Sequence, residues 1–189
     1  ARPLADNLRH VAEALGKPLD RLRMVTLDKP RLQPAMAEAT QLGVKVYALP
    51  DGDVAASVLA CLQDNLYDLM YTIGGAPEGV ISACAVKALG GDMQAELIDF
   101  CEAKGDTAEH RLIAAQERQR CAEMGVEVNR VYTLDELVAG HDVLFSATVV
   151  TGGDLVNGIQ QVAKGVRTQT LLIGGADQTC NIIDSLHSW

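Results

Sequence analysis

The residues best suited to chemistry lie in the stretch 71–83, YTIGGAPEGVISA. Gly74 and Gly75 follow an apolar strand pattern and precede a helix that we expect to begin at Pro77. Adjacent glycines let the backbone approach a ligand closely and adopt positive φ angles. The free N–H groups of a first helical turn also carry a partial positive charge. The stretch therefore predicts a turn that favours an anion.

Glu78 lies in that first turn, so the protein places its own carboxylate there. A carboxylate beside a glycine-lined turn can bind a hard divalent ion, which prefers oxygen ligands. It can equally do no more than complement the helix dipole, as many acidic residues in first turns do. The residues alone leave both interpretations open.

Two cations, Lys29 and Arg31, flank Pro30, which we expect at the first position of another helix. Cations are unfavourable at this positive end, by a few tenths of a kcal/mol each, so a compensating anion such as a phosphate is a reasonable expectation. The alternative is that both long side chains simply extend into water.

Asp51, Gly52 and Asp53 form a third polar group. The two carboxylates could accept hydrogen bonds from sugar hydroxyls or hold a cation. Asp-Gly is also a common turn pair, and Asp53 is a good candidate for a helix N-cap, so a purely structural role stays open.

The elements that position these groups are three successive units of strand, short loop and helix. Such units predict a parallel sheet covered by helices, with the carboxyl ends of the strands at one edge. Ligands of open α/β sheets bind outside that edge, so the three loops should form one site. The predicted strands are 22–27, 44–49 and 68–73, the predicted helices are 32–42, 54–62 and 77–89, and the last helix should turn Val80, Ile81, Ala83, Val86 and Leu89 inward.

The second half has a different pattern. A segment at 93–101 fits a strand or a short helix, and Gly105-Asp106-Thr107 should cap a polar helix that ends near Met124. Several strands then follow without long helices, which predicts an antiparallel extension of the sheet or a second layer. We expect one α/β domain over 1–189, mostly parallel in the first half and mixed or antiparallel in the second, with strands at 130–133, 142–150, 166–173 and 181–186.

Composition narrows the possible partners. The 189 residues are 48% hydrophobic and 22% charged, which is typical of a globular protein, and they contain no apolar run long enough to span a membrane. A net charge of −9 makes nucleic acid and anionic membranes unfavourable partners. The five cysteines are widely spaced, which favours reduced thiols and a cytoplasmic protein over zinc or disulfides. The four histidines form no set with ligand spacing.

These loops, together with Leu49–Ser57 and Phe145–Thr148, closely resemble the class II fructose-1,6-bisphosphatases of the bacterial GlpX type. The resemblance covers essentially the whole chain and implies a sugar-phosphatase-like fold. It also implies hydrolysis of the 1-phosphate of fructose 1,6-bisphosphate in gluconeogenesis, with Mn²⁺ or Mg²⁺ as cofactor. By this resemblance the substrate-binding residues are Lys29, Pro30, Arg31, Asp51, Gly52, Asp53 and Gly75, and the metal ligand is Glu78.

One departure from the family is large. Its members carry most metal-binding carboxylates in an N-terminal half, in a motif resembling Asp-Pro-Ile-Glu-Gly-Thr, and this sequence has nothing similar. We therefore expect the chain to be the C-terminal half, with no catalytic residue of its own and no turnover in isolation. The missing half would be its partner, and the full-length protein would be a homo-oligomer. A non-catalytic sugar-phosphate-binding module, or a phosphatase for sedoheptulose bisphosphate or an inositol phosphate, stays open as an alternative.

Overall fold

A computed structural model describes residues 2–62, 66–153 and 155–189 of the chain. Single 3₁₀ turns lie at Leu19–Arg21 and Pro30–Leu32. The helices are α1 (Leu4–Ala14), α2 (Gln33–Gln41), α3 (Asp53–Cys61), α4 (Ala76–Ala88), α5 (Phe100–Lys104), α6 (Ala108–Glu123) and α7 (Leu134–Leu137). The strands are β1 (Arg23–Leu27), β2 (Lys45–Leu49), β3 (Leu69–Met70), β4 (Gln94–Glu96), β5 (Val131–Thr133), β6 (Leu144–Thr148), β7 (Gln160–Val162), β8 (Gly165–Gly174) and β9 (Thr179–Ser188).

A parallel sheet forms the first half, as the sequence predicts. Its strand order is β2-β1-β3, and β1 pairs in parallel with both neighbours. Strand β3 is shorter than the predicted 68–73. The residues on either side of it, Asp68 and Tyr71, still donate backbone hydrogen bonds to carbonyls of β1. The carboxyl ends of all three strands therefore point to one edge.

Helices cover both faces of this sheet. Met24 belongs to a core with Leu8 and Leu22 on the side of α1 and α2. Val25, the next residue along β1, packs with Ala56 of α3 on the opposite side. Side chains alternate between the faces of a strand, and β1 is the central strand of three, so it is buried from both sides.

Helix α4 begins at Ala76, one residue before the predicted start. Its buried residues are small, which allows close packing on α3. Val80 and Ile81 are exposed by 43% and 48%, so the prediction that they point inward is wrong. The helix is apolar around most of its circumference, and such a helix has no periodic stripe to select its buried face. The buried residues are Ser82, Ala83, Ala85, Val86 and Ala88.

The antiparallel strands form separate sheets, so the second half is another layer and not an extension of the parallel sheet. Strands β4 and β5 pair with each other, and the four-stranded sheet contains β6 to β9. The segment 93–101 contains both predicted alternatives, because β4 precedes the start of α5. One hydrophobic cluster joins the four-stranded sheet to α3 and α4: Val58, Ala85, Ala88, Phe145, Val156, Leu171 and Ile173.

Strand β9 is the exposed edge of the four-stranded sheet. It pairs with β8 along ten residues, yet nine of its ten residues are exposed. Ile182, Leu186 and the following Trp189 all present large apolar surfaces to solvent. Within residues 2–62, 66–153 and 155–189, no helix has the length and apolarity needed to cross a membrane.

Asp68 fixes the start of β3, a contact that the sequence interpretation missed. Its side chain is only 4% exposed and accepts hydrogen bonds from Lys17 and from the backbone and guanidinium of Arg23. Burial alone would raise the pKa of Asp68, but the hydrogen bonds from these two cations outweigh it, and the pKa lies below its ordinary value of 3.8. The charged form is therefore the stable one in the folded protein.

Candidate functional site

The loops that follow β1, β2 and β3 lie together, as the parallel topology predicts. Nζ of Lys29 in the first loop lies 3.0 Å from Oδ1 of Asp51 in the second. Nε of Arg31 in the first loop donates a 2.6 Å hydrogen bond to the carbonyl oxygen of Ile73 in the third. These two contacts join three segments that are far apart in the sequence into one polar edge.

The first loop presents its cations from a tight turn. Pro30 takes the first position of the 3₁₀ turn, as predicted for a helix start, and Lys29 precedes it in an extended conformation. Asp51 supplies the negative charge next to Lys29. Its side chain is 84% exposed, and such an ion pair contributes at most about 1 kcal/mol, so a phosphate can compete for this ammonium group.

Asp53 is not the N-cap of α3, and that prediction is wrong. Gly52, with φ of 93°, takes the cap position, because this left-handed conformation favours glycine. Asp53 is already the first helical residue, and its Oδ1 accepts the N–H of the next residue, Val54, at 3.0 Å. Its second carboxylate oxygen accepts no hydrogen bond from the described residues.

Gly74 and Gly75 provide space, not positive φ angles. Gly75 has φ of −72° and Gly74 is not among the residues with positive φ, so that expectation is wrong. A Cβ on Gly74 would lie 2.8 Å from Oδ2 of Asp53, and a Cβ on Gly75 would overlap the carboxylate of Glu78. Each glycine therefore leaves room for one carboxylate of the protein. The close approach to a ligand stays a prediction.

Glu78 lies in the first turn of α4, as predicted, and is exposed. Its carboxylate folds back over Gly75 and forms no hydrogen bond or ion pair with another described residue. Its position suits a metal ligand, but a divalent ion needs several oxygen ligands. Among the described residues, no three His, Cys, Asp or Glu side chains are grouped so that they could hold a metal ion. Within the part of the chain that the structure describes, Glu78 therefore lacks the companion ligands that a metal site needs.

Tyr71 leads into the third loop. Burial raises the pKa of its hydroxyl above the ordinary value of 10, and the negative charges of Glu38 and Glu96 raise it further. The hydroxyl is therefore a neutral group at physiological pH.

Sequence reasoning missed two contributions to this edge. The carbonyl of Ile73 orients Arg31, and no side-chain pattern can reveal a backbone acceptor. Gly74 makes room for Asp53, which lies 21 positions earlier in the sequence. Only the parallel register brings those two residues together.

The chain is similar to known proteins along nearly its whole length. Residues 1–187 match the family described as bacterial fructose-1,6-bisphosphatase, glpX-encoded. The chain is 83% identical over 185 residues to fructose-1,6-bisphosphatase 2 class 2 of Escherichia coli K12, and 50% identical over 185 residues to fructose-1,6-bisphosphatase 1 class 2 of that strain. It is 35% identical over 188 residues to the D-fructose 1,6-bisphosphatase class 2/sedoheptulose 1,7-bisphosphatase of Trichodesmium erythraeum.

These alignments cover 98%, 98% and 96% of this chain, but 58%, 55% and 53% of the relatives. The chain thus spans little more than half the length of the proteins it matches. The family match covers nearly every residue, and the identity is far above what chance similarity produces. The chain belongs to the bacterial glpX-encoded fructose-1,6-bisphosphatase family.

Proposed function

We propose that this chain supplies the substrate-binding loops of an enzyme that hydrolyses the 1-phosphate of fructose 1,6-bisphosphate, giving fructose 6-phosphate and phosphate. The main support is the meeting of three loops through the Lys29–Asp51 and Arg31–Ile73 contacts. This edge combines cations suited to a phosphate with carboxylates suited to a sugar. The similarity to proteins named fructose-1,6-bisphosphatase supports the substrate. The pathway would be gluconeogenesis or glycerol metabolism.

Each loop has its own task in this proposal. Lys29 and Arg31 bind phosphate oxygens, and Arg31 is already oriented through its Nε, which leaves the other edge of the guanidinium for the ligand. Asp51 and Asp53 accept hydrogen bonds from sugar hydroxyls. Three residues without a long polar side chain line the substrate and let the backbone approach it: Pro30, Gly52 and Gly75.

Glu78 is the metal ligand in this proposal, with Mn²⁺ or Mg²⁺ as the ion. Such an ion, when bound, would neutralise phosphate oxygens and activate a water molecule. We assign no catalytic step to it, because no three His, Cys, Asp or Glu side chains among the described residues are grouped around a metal position. The remaining ligands would come from residues beyond these 189, since the relatives are longer. Turnover would need that part, and a homo-oligomer and a cytoplasmic location remain predictions.

The decisive experiment compares Glu78→Gln with Glu109→Gln in the protein purified at its native length. Glu109 is an exposed carboxylate in the first turn of α6, so both variants remove a dipole-complementing charge. We expect only Glu78→Gln to weaken Mn²⁺ binding and to reduce phosphate release from fructose 1,6-bisphosphate, by at least about tenfold. Equal Mn²⁺ affinity and activity in both variants would show that Glu78 only complements the helix.

A non-catalytic sugar-phosphate-binding module is the second candidate, and the ungrouped carboxylate Glu78 is the observation that favours it. Binding of fructose 1,6-bisphosphate without phosphate release, at native length and with Mn²⁺ present, would support that role. A panel that includes sedoheptulose 1,7-bisphosphate and an inositol phosphate decides the substrate, because one relative carries the sedoheptulose activity in its name.

A further inference from the structure

Two consecutive residues of the third loop contact side chains from the other two loops. The carbonyl of Ile73 accepts the hydrogen bond from Arg31, which comes from the loop after β1. Gly74 lies against the carboxylate of Asp53, which comes from the start of α3 after β2. Adjacent backbone residues of the third loop thus contact a cation from one loop and an anion from another.

The contact at Gly74 depends on its missing side chain. A Cβ built there would lie 2.8 Å from Oδ2 of Asp53 and 4.0 Å from Cγ. Real Cβ atoms essentially never approach another heavy atom to less than 3.0 Å, so the carboxylate could not keep its place beside an alanine. The backbone itself would accept alanine, because Gly74 does not have a left-handed φ.

The backbone of Asp53 cannot easily move away from this contact. Its carbonyl accepts a 2.9 Å hydrogen bond from Oγ of Ser57, and the same hydroxyl lies 3.1 Å from the sulfur of Met70 in β3. The start of α3 is thus tied to the sheet. Oδ1 is held by Val54, so Oδ2 is the atom whose position depends on Gly74.

We propose that Gly74 is a positioning residue for sugar recognition: the absence of a side chain there sets where the Asp53 carboxylate meets the sugar hydroxyls. This inference rests on the proposed function, because it assumes that Asp53 accepts hydrogen bonds from the substrate. It gives Gly74 a role that depends on another residue and involves no contact of its own with the ligand.

The positioning role of Gly74 predicts that Gly74→Ala raises KM and leaves thermal stability nearly unchanged. The clash involves the mobile end of one side chain, so Tm should stay within about 2 °C of the parent value. The displaced carboxylate should raise KM for fructose 1,6-bisphosphate on the order of tenfold and change kcat much less, since a misplacement of this size weakens substrate positioning. Gly79→Ala is the matched control, because among the described residues no atom lies within 4 Å of a Cβ there.

A mutant cycle in the native-length protein tests the dependence on Asp53. In an Asp53→Ala background the clashing oxygen is gone, so adding Gly74→Ala should change KM by less than about twofold. A KM effect of Gly74→Ala that persists in that background overturns the proposal. So does a Gly74→Ala variant that matches the parent while Asp53→Ala raises KM, and in that case the proposed function still stands. An unchanged KM in Asp53→Ala itself rejects the sugar-binding role of Asp53, and the inference fails with it.

Discussion

The parallel sheet and the four-stranded antiparallel sheet differ in where their polar contacts and their exposed apolar residues lie. In the parallel sheet the central strand is buried and the loops at the strand ends are joined by polar contacts. In the four-stranded sheet, β8 supplies Leu171 and Ile173 to the shared core, while β9 remains exposed along almost its whole length. The polar contacts between loops thus belong to the first sheet, on which the proposed function depends, and the second sheet packs against α3 and α4.

The largest expected effect concerns stability and comes from the second sheet. Ile173 is fully buried in the cluster that joins β8 to α3 and α4, so Ile173→Ala should lower the free energy of unfolding by about 3 kcal/mol. Ile182→Ala, at a 55% exposed position in β9, should change it by less than about 0.5 kcal/mol. Denaturant unfolding measures both. The KM for fructose 1,6-bisphosphate should remain unchanged in both variants. A tenfold change of KM in either variant would contradict the separation of roles between the two sheets.

Asp68→Asn tests whether the opposite end of the parallel sheet is structural. Loss of the buried charge between Lys17 and Arg23 should cost about 2 kcal/mol of unfolding free energy at neutral pH. The folded pKa lies below 3.8, so the stabilisation is present above pH 3.8 and is lost as the pH falls through the lower folded value. The parent should therefore lose more stability than the variant on acidification below pH 3.8. Parallel acid-unfolding curves would contradict this assignment.

The smallest effect sharpens the role of the loops. Arg31→Lys keeps the charge but removes the Nε hydrogen bond to Ile73, so KM for fructose 1,6-bisphosphate should rise about tenfold with little loss of stability. Arg111→Lys is the matched control, because Arg111 of α6 pairs with the exposed Asp106, which precedes that helix and belongs to none of the three loops. Steady-state kinetics at native length compare the two variants. Equal KM values would show that the orientation of Arg31 is unimportant.

The sequence predicts the parallel sheet well because β1 and β2 have strong strand patterns and short loops after them. It does not predict the buried face of α4, because Val80 and Ile81 are as apolar as the residues that are buried. It also leaves the placement of the later strands open. Packing of Phe145 and Ile173 against α3 and α4, a long-range contact, decides that they form a second layer.

For the candidate site, the succession of three strand–loop–helix units predicts that the loops carrying Lys29, Asp51 and Gly74 share one edge of the sheet. The finer geometry depends on single dihedral angles and atoms. The left-handed conformation of Gly52 removes Asp53 from the cap position, and no composition rule distinguishes the two residues beforehand. The partner of Arg31 is a backbone carbonyl, which every residue possesses.

The shortness of β3 affects how the third loop exchanges its amide protons with solvent. The ladder to β1 ends with the N–H of Tyr71, which donates to Val25. Within the described part of the chain, the N–H groups of 72–75 have no backbone acceptor, although they lie directly before α4. Amide protons without a hydrogen-bond acceptor exchange quickly with solvent unless a bound group accepts a hydrogen bond from them. Because β3 ends early, the backbone N–H groups beside the two glycines are free to donate hydrogen bonds to a ligand. A bound ligand would then slow the hydrogen exchange of these amides.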